Sequence, residues 1–382
     1  MRLAAIGFWA SSALLAFTHA GYPLALRALL AARGESPRPS GRDDAGGSEA
    51  ELPPVSLIVA AHDEEAVIEA WVAAALALDY PRELLEVIVA SDGSADRTAE
   101  FAGEAGADLV VELPRGGKVR ALNAAVERSR GAILAFSDAN AVWEPCALRR
   151  LVARFADERV AYVCGQVGFD GSGGENQEGL YWRYEMAVRE LESRLAGVTA
   201  GNGAINAVRR SDYIFLEPDR GQDISFPYEL TKRGRRAVYE PAALAREPMA
   251  ATIGDEFGRK RRMMTGAWNT LLRHGMASPR GYPPLYAFQI ASHRLLRYAS
   301  PLLHLVALAT NVALLRRGRI YALALGTQAA LLAAAGLAGG SRLRLLRIAR
   351  YYVAVTASSA AGLWDAIRGR VPTTWEKAGG TR

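Results

Sequence analysis

Carboxylates and amides stand at the ends of apolar runs, where side chains can reach a bound ligand. Asp92 follows the run LEVIVAS, and Gly93 behind it lets the chain turn sharply. A carboxylate there can accept hydrogen bonds from ribose hydroxyls or a base N–H; Ser94 or Asp96 beside it can equally cap a helix. Asp138 and Asn140 follow the run AILAF two residues apart, offering two oxygens to one hard cation or, alternatively, an Asx turn. So few protein oxygens suit Mg²⁺ only when a substrate diphosphate completes the coordination. Lys118 follows Gly116 and Gly117 at a helix start, where an ammonium and backbone N–H groups can approach a phosphate, although the spacing is not that of a P-loop. Read as a bland feature, it is a solvated charge. Gly201, Asn202 and Gly203 suit a tight loop where backbone approaches a ligand. Asp223, among apolar neighbours in GQDIS, has the setting of a general base or of a helix cap. No histidine cluster and no serine or cysteine nucleophile signature accompanies them.

Such loops need a scaffold. From Val55 to about Arg280 the runs VSLIVAA, LEVIVAS, AILAFSD and RVAYVCG alternate with stretches of helical period such as Glu64 to Leu78 and Arg120 to Ser129. Alternating strands and helices predict an α/β domain with a mixed, mostly parallel sheet flanked by helices on both faces. Ligands in such sheets sit at the carboxyl ends of the strands. That rule selects the loops AHDEE, SDGSADRT and SDAN.

The remaining sequence is of another kind. Half of the 382 residues are hydrophobic, which excludes a disordered chain, and 37 glycines without a triplet period exclude a collagen. Mean hydropathy is only +0.02, because two materials are averaged. Leu3 to Leu26 carries no charge and is long enough to span a bilayer, as are Tyr298 to Leu315 and Ile320 to Gly340. Pro283 to Arg297 reads as an interface helix, and Tyr351 to Trp364 has a length that suits an interfacial or buried helix better than a span. The expected organisation is an anchor over residues 1–32, a flexible linker over 33–54, a ligand-binding domain over 55–280, and interface and membrane helices with a basic tail over 281–382. Cys146 and Cys164 lack metal-ligand spacing and read as reduced, buried thiols. A net charge of +6 without interleaved aromatic and basic residues gives no nucleic-acid footprint.

In chain order, VSLIVAAHDEE, SDGSADRT, GGKVRALNAAV, SDAN, GNGAINAVRR and GQDISFP resemble the motifs of family-two inverting glycosyltransferases with a GT-A fold. The resemblance covers Val55 to about Leu272 and is strongest to the membrane-embedded synthases of cellulose, poly-N-acetylglucosamine and hyaluronan. It implies that Asp63 and Asp92 line the nucleoside pocket, that Lys118 faces the nucleotide, and that Asp138, with Asn140, holds Mg²⁺ or Mn²⁺ against the diphosphate. It also implies that Gly201, Asn202 and Gly203 lie on the acceptor side and that Asp223 deprotonates the acceptor hydroxyl. Two departures stand out: Asn140 replaces the usual second acid of the D-x-D motif, and the Q-x-x-R-W motif of processive enzymes is missing. In the latter's place stands EFGRKRRMM, whose Arg259 and Arg262 suit either a leaving diphosphate or an anionic lipid surface.

The expectation is therefore a multi-pass enzyme of the cell membrane with its catalytic domain in the cytosol, where activated sugars are made. It would move a sugar from a nucleotide donor, with UDP expected, to a growing exopolysaccharide or cell-envelope glycan. The alternatives are a single transfer to a polyprenyl-phosphate or other lipid acceptor and, from another class, a non-catalytic nucleotide-sugar-sensing scaffold. The partners implied are the donor, a glycan or lipid-linked acceptor and the bilayer, with room for a partner subunit.

Overall fold

The computed structural model describes residues 1–34, 52–170, 177–248, 253–338, 343–371 and 373. Most of the expected linker and the end of the basic tail lie outside these residues. The chain opens with α1 (Arg2–Ala16) and α2 (Tyr22–Ala32), which are joined through a π-helical turn at Phe17–Gly21. The α/β domain follows as β1 (Val55–Ala61), α3 (Ile68–Leu76), β2 (Leu85–Asp92), α4 (Thr98–Glu104), β3 (Leu109–Leu113), α5 (Lys118–Arg128), β4 (Ile133–Asp138) and β5 (Val142–Trp143). It continues through α6 (Ala147–Ala153), β6 (Val160–Asp170), α7 (Gln177–Leu195), β7 (Ile205–Arg209), α8 (Gln222–Lys232), β8 (Arg236–Pro248) and α9 (Ile253–Arg273). The final helices are α10 (Pro284–Gln289), α11 (Leu296–Tyr298), α12 (Ser300–Leu314), α13 (Arg319–Leu337) and α14 (Arg344–Ile367), with a second π-helical turn at Ile290–Leu295 between α10 and α11.

The eight strands form one sheet in the order β3-β2-β1-β4-β7-β6-β8-β5. It is parallel except where β7 runs against β4 and β6 and where β5 runs against β8. β1 lies in the interior with every residue buried, as expected for a continuous apolar run in a parallel strand. Its alternation divides the core: Leu57 and Val59 pack toward Trp71 of α3, while Ile58 and Ala60 pack toward Leu122 and Val126 of α5.

Apolar composition is also sorted in the way the sequence suggests. The helical stretch Arg2–Ala32 and α13 are long and apolar enough to cross a membrane, and α13 has no buried residue. Pro284–Tyr298 and Ser300–Arg317 pass the same test as a pair bent by 62°, so the expected interface helix and the span after it form one broken unit. α14 extends well beyond the expected Tyr351 to Trp364 and packs along α9. A Cβ on Gly362 would stand 2.7 Å from Met264 Cβ, Trp268 Nε1 donates to the Ser359 carbonyl at 3.0 Å, and Arg261 pairs with Asp365. One expectation is corrected here: Cys164 is buried, but Cys146 is exposed, because it precedes α6 on an outer loop.

Candidate active site

Three strand ends and three later loops meet at the carboxyl edge of β1, β2 and β4. Asp63, just past β1, holds a left-handed backbone with φ 52°, unusual for a residue other than glycine. Its carboxylate accepts the Ala95 N–H at 2.7 Å, and its own N–H donates to Ser94 Oγ at 3.2 Å, so the first two loops are stitched together. The neighbouring His62 reaches the Asp92 carbonyl through Nδ1 at 2.9 Å. Gly93 has φ 64°, and a Cβ there would lie 2.6 Å from the Arg115 nitrogen. Only glycine fits, because both the conformation and the space exclude a side chain.

Asp92 is buried, and its partners are backbone groups. Oδ1 accepts the N–H of Gly116 at 2.6 Å and of Gly117 at 3.1 Å, and Oδ2 accepts that of Gly117 at 2.8 Å. The carboxylate thus pins the glycine turn that launches α5 with Lys118 as its first residue. Asp92 also lines a cleft of about 310 Å³ with Leu113, Pro114, Arg120 and Asn123, at the small end of the range for ligand pockets.

The Lys118 ammonium donates to the Asp138 carboxylate at the end of β4. Burial pulls its pKa down, but the carboxylates of Asp138, Asp223 and Glu247 act more strongly together and hold it above the ordinary value. Asn140 follows in the turn closed by the Ala141 N–H to the Asp138 carbonyl at 3.0 Å, and its half-buried amide has no hydrogen-bond partner among the described residues. The next helix, α6, begins at Ala147, after the short strand β5.

On the opposite side, a Cβ added to Gly203 would stand 3.8 Å from Asp138 Oδ2 and 3.9 Å from Lys118 Nζ. The glycine loop therefore lies directly against the ion pair. Asn202 donates to the Gly165 carbonyl and accepts Asn206 Nδ2 at 2.8 Å. Gly201 donates its N–H to the Asp223 carbonyl at 2.7 Å. That carbonyl is available because residue 227, four positions on in α8, is proline and has no N–H to give it. The proline of QDISFP thereby binds the first turn of α8, and Asp223 with it, to the glycine loop. Burial raises the Asp223 pKa, the Lys118 charge opposes this and the Asp138 charge reinforces it, for a net upward shift.

Sequence reasoning missed Glu247. It lies at the far end of β8, and the pairing of Val142 with Arg246 places it beside the turn that carries Asn140. Burial and the Asp138 charge push its pKa up to about 7, against Arg259 and Lys118. No motif marks it, because only strand pairing brings residue 247 near residue 138. Arg259 is thus electrostatically tied to the site, whereas Arg262, on the same helix, is exposed and makes no ion pair with a site residue among the described residues.

Residues 56–214 match the family Glycosyl transferase family 2, so the chain carries a domain of that family, and its sheet and flanking helices form a GT-A fold. It is similar to Probable glycosyltransferase YdaM of Bacillus subtilis, with 34% identity over 30% of each chain. It is also similar to the poly-beta-1,6-N-acetyl-D-glucosamine synthase of Staphylococcus aureus, with 25% identity over 58% of this chain and 57% of the relative. The match spans little more than half of that relative's length and less than a third of YdaM. The fold superimposes on mannosyltransferase PcManGT from Pyrobaculum calidifontis, solved with GDP-Man and Mn²⁺, at a TM-score of 0.70 and 23% identity, over 96% of this chain and 99% of that one.

Proposed function

We propose that this chain is a membrane-bound inverting enzyme that transfers a sugar from a nucleotide diphosphate, with UDP as the expected carrier, to a hydroxyl of a growing exopolysaccharide or cell-envelope glycan. The observation that carries this reading is the Lys118–Asp138 pair lying against Gly203, with Asp223 near enough for its charge to act on the lysine and for both their charges to act on it. Asp223 takes the proton from the acceptor hydroxyl as its oxygen attacks the anomeric carbon, and the nucleotide diphosphate leaves from the opposite face. Asp63 and Asp92 shape the nucleoside side of the pocket, the latter by fixing the Gly116–Gly117 turn. Lys118 supplies positive charge where the leaving diphosphate gains negative charge.

The residues fit a divalent cation. Among the described residues no three His, Cys, Asp or Glu side chains form a metal cage, which suits an ion that takes its other ligands from substrate phosphates. Asp138 and the unpartnered Asn140 amide would hold Mg²⁺ or Mn²⁺, which when bound neutralises the diphosphate. Mn²⁺ beside GDP-Man in the structural neighbour supports a metal of this kind and makes GDP-sugars necessary controls for the UDP assignment.

The same reading places residues 1–32 and 281–382 in the cell membrane as a multi-pass unit and residues 55–280 on the cytosolic side, where nucleotide sugars are made. The segment EFGRKRRMM, in place of Q-x-x-R-W, favours a second reading: a single transfer to a lipid-linked acceptor. Membranes holding the full chain, given labelled UDP- and GDP-sugars, separate the readings. Label in polymer supports the first; label confined to one sugar in an organic extract replaces it with the second. Unchanged cellular glycan after Asp223→Asn would leave only a sensing scaffold.

A further inference from the structure

Away from the catalytic carboxylates lies a second polar centre, wholly buried, that the chemistry above does not use. Glu192, near the end of α7, is 0% exposed. Its Oε1 accepts the Tyr22 hydroxyl at 2.5 Å, from the N-terminal helical stretch, and meets His293 Nδ1 at 2.7 Å, from the π-helical turn before α11. Its Oε2 accepts the Thr199 hydroxyl at 2.9 Å and the Thr199 N–H at 3.4 Å. One carboxylate thus joins two membrane-proximal segments to the loop that runs into Gly201.

The surrounding bonds reinforce the same loop. Arg294 Nε donates to Thr199 Oγ1 at 2.8 Å, and the Tyr286 hydroxyl donates to the Val198 carbonyl at 2.9 Å. Arg189, one turn before Glu192 on α7, donates to the Gly201 carbonyl at 3.2 Å. Gly201 in turn holds the Asp223 carbonyl. Farther back on α7, Glu185 pairs with Arg297 at 2.5 Å, and the Tyr184 hydroxyl donates to the His19 carbonyl at 2.9 Å. A buried carboxylate is costly unless fully paired, and an apolar residue would serve simple packing more cheaply. Glu192 and its partners instead fix direction: they hold the loop before Gly201 at one position relative to the membrane helices.

We infer that Glu192 is a positioning residue, which transmits the placement of the N-terminal helix and of the helix at residues 284–298 to the acceptor-side loop and, through Gly201, to Asp223. This rests on the reading of that loop as the acceptor side. It assigns the membrane-proximal helices a part in aligning the acceptor hydroxyl, beyond anchoring the enzyme.

The test uses the full chain in its own membranes, with Tyr22→Phe, Glu192→Gln and Glu192→Ala. Tyr22→Phe removes one hydroxyl and leaves the buried carboxylate in place, so it reports even if Glu192→Ala folds poorly. Two quantities are read: binding of UDP with Mn²⁺ to the purified protein, and transfer of labelled sugar to membrane acceptors. The expected result is transfer reduced on the order of tenfold in Tyr22→Phe and more in Glu192→Ala, because small misplacements of reacting groups are costly. Glu192→Gln should recover part of it, and nucleotide binding should stay within about twofold throughout. Binding and transfer falling in parallel, or transfer unchanged in Tyr22→Phe and Glu192→Gln, would overturn the inference. Wild-type membranes that release no nucleotide from any donor would instead overturn the proposed function.

Discussion

Asp223 is the residue on which the proposed chemistry depends. Removing its carboxylate by Asp223→Asn should lower the transfer rate by about 10² to 10⁴-fold, the usual contribution of a general base, while UDP binding stays near wild type. Its raised pKa gives the sign of two further results. The base works only when deprotonated, so the acid limb of the pH–rate profile of the free enzyme should lie above the ordinary carboxylate value of about 4. A group whose pKa is higher folded than unfolded adds stability at low pH and loses it as pH rises, so the charged form is a burden at neutral pH. Asp223→Asn should accordingly be inactive yet melt no lower than wild type at pH 7, as thermal denaturation can check. Pro227 was legible only as a letter in a motif; its missing N–H acquires meaning once Gly201 is seen to use the freed carbonyl. Pro227→Ala would supply a competing N–H, and transfer should fall several-fold with nucleotide binding intact.

At the level of elements, turns and strand pairings decide what the site contains. Gly93 turns where a Cβ would strike the Arg115 backbone, so Gly93→Ala should destabilise the fold by at least about 1 to 3 kcal/mol and loosen the glycine turn that Asp92 holds. A urea titration combined with UDP binding would show both. The runs VSLIVAA, LEVIVAS, AILAFSD and RVAYVCG are strands, as their apolar, β-branched composition predicts. The expected helix at Arg120 to Ser129 corresponds to α5. β3, β7 and β8 were not anticipated, because the first is a short edge strand and the other two join the sheet through partners distant in sequence. For the same reason no motif marks Glu247, although the Asp138 charge acts on it and its own charge acts on Lys118.

For the whole molecule, the averaged composition resolves into an α/β domain and helices that expose leucine. Leu3 is 83% exposed, Leu305 62%, Leu323 68% and Leu337 72%, surface that water does not favour and a hydrocarbon interior does. The protein should therefore stay in the membrane pellet after an alkaline carbonate wash and need detergent for extraction. Recovery in the soluble fraction would refute the membrane placement. The buried junction at Glu192 gives α2 and the turn at Ile290–Leu295 more than an anchoring part, because it links them to the loop that runs into Gly201.

Local pattern determined the strand-and-helix alternation, the apolar segments and the order of the acidic loops, since each depends on residues a few positions apart. Only the tertiary structure decided that Asp92 spends its carboxylate on Gly116 and Gly117, that Glu247 joins Asp138 and Lys118, and that Glu192 gathers Tyr22, Thr199 and His293. Apart from Thr199, seven residues from Glu192, those partners stand far apart along the chain, and no periodicity encodes which of them meet. Strand order and helix packing bring them together, and the need to pair every buried charge holds them there.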